Sequence, residues 1–125
     1  MIFGHEGDNR ETLKKDTEFI LKYHDGAIRT TIHPVTPWPG TAIYKEAIRR
    51  GLLTDCEDFY RKHVNSDYLT VNVTELSDEE FGMALHDANV SILDNFYAME
   101  VKRAKEKAKV FLGKDTNFRG YYTWQ

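Results

Sequence analysis

The chain has 125 residues, 41% of them hydrophobic and 30% charged, with a net charge of −3 and a pI near 5.9. This composition excludes a disordered tail and a collagen-like fibre, no apolar run reaches the ~20 residues that span a bilayer, and the acidic balance argues against a nucleic-acid partner. A single cysteine, Cys56, cannot close an intrachain disulfide or hold an iron–sulfur cluster or structural zinc alone, and the N-terminus MIFGHEGD carries no basic leader or apolar core of a secretory signal, so a reducing, cytoplasmic setting is expected.

Residues 1–4 are apolar and run directly into the turn-rich His5-Glu6-Gly7-Asp8-Asn9. They read as the end of a buried strand, too short for the ~5 residues of a typical one, so the chain is expected to begin inside an element. Asn9 is a candidate N-cap for a helix over residues 10–23, where Leu13, Thr17, Ile20 and Leu21 recur at helical spacing before Asp25-Gly26 stops it. Residues 27–33 alternate and are rich in β-branched side chains, which predicts a strand. Ile28, Thr30 and Ile32 would share one face and Arg29, Thr31 and His33 the other. Strand, helix, strand is a βαβ unit, whose two strands should be parallel with a right-handed crossover.

Pro34, Pro37 and Pro39 cannot donate to a ladder or sit in a helix interior, so residues 34–41 are expected to form a stiff loop. Thr41 then caps a helix that Gly51 ends. Residues 55–62 predict a short helix, and residues 68–73 a short strand or extended arm. Ser77 and Glu80 form a capping box, after which Phe81, Ala84, Leu85, Ala88, Ile92, Phe96, Met99, Arg103 and Ala104 keep helical spacing with no proline before Gly113. An unbroken helix here would measure about 50 Å. Its last turns are lysine-rich, which suits a helix C-terminus, and the face reads as solvated. An aromatic tail follows, with Phe118, Tyr121, Tyr122 and Trp124.

Parallel strands are usually buried on both faces within larger sheets. Two such strands with missing neighbours therefore read as the C-terminal part of an α/β barrel or wound sheet, followed by a helical extension. The expected division is residues 1–76 for the βα units and 77–125 for the extension. In such folds ligands sit at the carboxyl ends of the strands, here residues 5–8 and 33–40.

Those same residues carry a family resemblance. Ile2-Phe3-Gly4-His5-Glu6-Gly7-Asp8 resembles the strand-five turn of radical SAM enzymes, often I-x-G-x-P-G-E-T. Thr36-Pro37-Trp38-Pro39-Gly40-Thr41-Ala42-Ile43-Tyr44, followed by Gly51-Leu52-Leu53, resembles their T-P-x-P-G-T-x-L-Y and G-L-L signature. The cobalamin-binding subgroup, which includes anaerobic Mg-protoporphyrin monomethyl ester cyclase, is the nearest in character. The resemblance implies a partial (β/α)6 TIM-like barrel, of which this chain would be the C-terminal part. It also implies reductive cleavage of S-adenosylmethionine at a [4Fe–4S] cluster, and cobalamin in some relatives.

Carried over by position, Ile2 and Gly4 would lie on the strand that packs against the adenine, and Val35, Thr36 and Pro37 would approach its edge through their backbone. His5, Arg29, Thr31, His33 and Trp38 are the candidates on the substrate side. The family's C-x3-C-x2-C motif is missing, Glu6 stands where many relatives have Pro, and Asp8 where they have Glu. No cluster or cofactor is expected to bind firmly to this chain alone, and no catalytic residue or metal ligand is assigned to it. The expected function is one wall of an S-adenosylmethionine and small-molecule substrate site in a radical SAM oxidoreductase, completed by the N-terminal half of the barrel or by another copy of the chain. The alternative is a non-catalytic interaction module working through the long helix.

Simpler roles compete at each position. His5 and His33 are acid/base groups or ligands, or else hydrogen-bonded rim residues. Asp8 and Glu6 position substrate or cap the first helix. Trp38 lines an opening or packs the loop. His24, His63 and His86 lack zinc-site spacing, and Gly4-x-x-Gly7 lacks the ending of a Walker loop. The truncated strand and the long helix both predict self-association, through unpaired edges and an apolar stripe that can meet its own copy.

Overall fold

The computed structural model describes residues 1–112. Local capping chemistry sets most helix starts. The Asn9 side chain accepts hydrogen bonds from the Glu11 and Thr12 amides, and the Thr12 hydroxyl accepts one from the Asn9 amide, which opens α1 (Arg10–Tyr23). Thr41 caps α2 (Ala42–Arg49) and Asp55 caps α3 (Cys56–Lys62) through the same geometry. Ser77 and Glu80 bond reciprocally at 2.9 and 3.1 Å to open α4 (Asp78–Leu112).

Two short strands, β1 (Ile2–Phe3) and β2 (His33–Pro34), pair in parallel, Ile2 opposite His33 and Phe3 opposite Pro34. The His33 amide donates to Met1 O and the Val35 amide to Phe3 O. The pair is covered by α1 and α4, which pack on each other. Phe3, Leu13, Ile20 and Ile32 meet Phe81, Leu85, Ala88 and Ile92 in one core. The Phe3 and Phe81 rings stack with centroids 5.1 Å apart. A second core lies under α2 and α3, with Ala47, Leu53 and Phe59 closed over by Val71 and Val73.

The expected barrel is not what the chain forms. Among the described residues 57% are helical and 4% are strand, with one two-stranded sheet. Of residues 27–33 only His33 joins β2. Ile28 is 73% exposed whereas Ile32 is 1% exposed, so the two do not share a face as alternation required. The physical reason lies in the partners. Among the described residues β2 has a ladder only with β1, and a side chain of α4 takes the place of a second strand. Asn89 accepts from the Ile32 amide (2.7 Å) and donates to the Ile32 carbonyl (2.9 Å). Further back, Gly26 (φ +73°) turns the chain, and Arg103 of α4 donates to the carbonyls of Asp25 and Gly26. Side chains of one helix thus replace a ladder, and among the described residues the segment before His33 has no strand to pair with.

Residues 68–73 form no strand; Val71 and Val73 fold inward as irregular chain. The four expected helices form, α2 beginning at Ala42 directly after its Thr41 cap. The aromatic tail, with Phe118, Tyr121, Tyr122 and Trp124, lies outside the described residues.

Candidate functional site

A cavity of about 270 Å³ opens beside the Ile2–His33 pair and the loop that follows β2, lined by Ile2, His33, Pro34, Val35, Thr36, Trp38 and Ser66. Ile2, Val35 and Trp38 give it apolar walls, while His33, Thr36 and Ser66 supply polar groups. Parallel pairing places Ile2 beside His33, and the proline-rich loop then bends Thr36 and Trp38 over the same opening. The Trp38 amide donates to Thr36 O and the Thr41 hydroxyl to Trp38 O, which closes that bend.

Three side chains form a hydrogen-bonded line at the cavity. Asp67 Oδ1 lies 3.0 Å from His33 Nδ1, and His33 Nε2 lies 3.3 Å from Thr31 Oγ1. A carboxylate only accepts, so His33 Nδ1 carries the proton facing Asp67, and in the neutral ring Nε2 is the acceptor for the Thr31 hydroxyl. The His33 side chain is 44% exposed and that of Asp67 73%, so water screens the pair and it orients the ring more than it stabilises the fold.

Trp38 both lines the opening and packs. Its ring lies 5.3 Å from Phe59 and 5.0 Å from His63. His63 stacks on Phe59 and bonds Thr70 through Nδ1. Pro37 is fully buried beneath the loop and does not line the cavity. Gly4 adopts φ +117°, and a Cβ there would meet Phe81 at 3.0 Å and Val35 at 3.3 Å. Asp8 accepts from the Gly4 and His5 amides, both at 2.9 Å, and holds the turn, while Asn9 caps the helix.

The other candidates lie apart. His5 borders a second cavity of about 210 Å³ with Glu6, Ala42, Ile43, Glu46 and Val73. Arg50 crosses that region, bonding Glu46, Val73 O and Glu6. Hydrogen bonds from Arg49 and Arg50 hold the Glu46 carboxyl down at about 2. Arg29 reaches Tyr97 of α4 at 3.5 Å, so of the expected polar trio only Thr31 and His33 stand together.

Cys56 is exposed at the start of α3, its sulfur 3.4 Å from Tyr44 Oη; that hydrogen bond pushes the Tyr44 phenol up to about 12. Among the described residues no group of three or more His, Cys, Asp or Glu side chains is placed to hold a metal ion, and no helix is long and apolar enough to cross a membrane. Sequence reasoning missed Ser66, Asp67 and Asn89, which act across long loops and leave no periodic signal. It also missed the buried Asp58, which accepts from the Thr54 amide and from Lys62; the four-residue spacing of Asp58 and Lys62 was a usable sign.

Comparison of the chain with protein-family models, with curated proteins and with solved structures finds no match.

Proposed function

We propose that this chain supplies one wall of a radical SAM-type S-adenosylmethionine and small-molecule substrate site, the facing wall coming from protein elements outside it. The observation that carries the reading is the cavity beside the paired residues Ile2 and His33 and under the loop that follows β2. It gathers Ile2, Val35, Thr36, Trp38 and His33, five of the residues that the resemblance and the strand-end rule single out. Apolar walls beside a parallel strand end suit a flat adenine ring, with polar groups at the mouth to orient it. His33, held between Asp67 and Thr31, is fixed in orientation at the mouth of that cavity.

The residues do not fit a [4Fe–4S] cluster, because several thiolates are required and Cys56 stands alone. The cluster, and any cobalamin, would be held by the elements outside this chain. Such reductive chemistry belongs to a cytoplasmic setting. A second reading, a non-catalytic interaction module, draws on the apolar side chains that α4 turns outward.

Amide NMR titration with 5′-deoxyadenosine and with S-adenosylmethionine tests the adenosyl reading. Weak binding should shift Val35, Thr36 and the Trp38 indole, and Val35→Trp, which fills the cavity, should remove those shifts. Shifts confined to the His5–Glu46 cavity, or none at all, would overturn it.

A further inference from the structure

The long helix is apolar on two sides. Its inner side, with Phe81, Leu85, Ala88 and Ile92, is consumed by α1 and β1. At about 3.6 residues per turn, Met83, Val90, Tyr97 and Val101 fall on one outer stripe, continued by Ala104 and Ala108. These large side chains are 60%, 41%, 50% and 51% exposed. The spacing of seven between Met83, Val90 and Tyr97 repeats one position of a heptad. Arg103 ties the helix to the turn at Asp25 and Gly26, and from residue 101 to 112 every residue is exposed. A helical stretch this short and this exposed is marginal in water without further packing.

Charge along the helix specifies what covers the stripe. Residues 78–94 hold five acidic side chains and no Lys or Arg, whereas residues 95–112 hold five basic and two acidic ones. A parallel pair would set acid beside acid and base beside base. An antiparallel pair sets each acidic half against a basic half, and in that arrangement each flank of the stripe faces its own copy reversed. Asp87, Asp94 and Lys105 lie on the same flank.

We infer that α4 is the contact surface for a second copy of this chain, joined as an antiparallel two-fold pair with its axis crossing near residues 95 and 96. In this register Met83 packs on Ala108 of the second copy, Val90 on Val101, and Asp87 meets Lys105. Each contact occurs twice because the interface is isologous. The inference does not depend on the adenosyl site.

Sedimentation of the full chain across the micromolar range should show a monomer–dimer equilibrium. Val90→Glu should shift it to monomer with the helical circular dichroism retained. Asp87→Lys and Lys105→Asp should each weaken the dimer about tenfold, since the axis duplicates every like-charge contact, and the double swap should restore it. With Cys56 replaced by Ser, Met83→Cys combined with Ala108→Cys should oxidise to a covalent dimer. A monomer throughout the range, a dimer indifferent to Val90→Glu, or failure of the double swap to restore association would overturn the inference. So would self-linking of Val90→Cys alone, the result that a parallel pair requires.

Discussion

Asn89 shows how much structure one side chain can carry. Its amide serves both the N–H and the C=O of Ile32, the task a neighbouring strand performs in a sheet. Ile32 is 1% exposed, so removing that amide leaves two backbone groups away from water with no equivalent partner. Asn89→Ala should therefore destabilise the fold by about 2 kcal/mol, the usual desolvation cost of buried unsatisfied groups. Urea denaturation measures it, and a change below a few tenths would mean that water replaces the amide freely. Nothing in the local pattern of residues 86–92 marks Asn89 for this role. By contrast, the caps at Asn9 and at Ser77 with Glu80 were legible, because a cap acts on amides two or three residues away.

The same contrast governs whole elements. Each predicted helix formed, since periodicity and caps are properties of a short window. The strand over residues 27–33 did not, since a strand exists only by pairing, and among the described residues only β1 pairs with β2. The long helix α4 depends on its first turn as well as on its packing. The Ser77 hydroxyl accepts from the Glu80 amide, and the Glu80 carboxylate accepts from the Ser77 amide, which holds the Glu80 carboxyl below its usual range. Ser77→Ala should cost about 1 kcal/mol, read as a lowered thermal midpoint with the mid-helix amides still protected in hydrogen exchange. Fraying that spreads through Ile92 would show instead that the cap, and not the core under α1, sets the stability of the helix.

Over the whole molecule, Arg50 links parts that are distant in sequence: Glu46 on its own helix, Glu6 after β1 and the carbonyl of Val73. Glu46 is held at about 2 in the fold against 4.5 ordinarily, by hydrogen bonds from Arg49 and then Arg50. A lowered folded-state value means that the ionised form is the stabilising one. Its contribution is complete above pH 4.5 and is lost as pH falls toward 2. Thermal midpoints should fall across that window, and Glu46→Gln should flatten the fall. Asp58 and Glu80 are lowered too, so the difference between the two curves is the measurement. Identical curves would show that the Arg49 and Arg50 contacts do not form in solution.

The sequence by itself determined the helices, their caps and the parallel order of the two strand ends, because each rests on periodicity, on local hydrogen bonding or on the chain order that β–α–β imposes. Only the tertiary structure decided that no barrel forms in the described residues, that Arg29 turns to Tyr97 and that Asp67 orients His33. It also decided that the inner stripe of α4 is spent on α1 while a second stripe faces outward. These outcomes depend on which partner reaches a backbone group or an apolar face first, and that competition is settled between residues far apart in the chain.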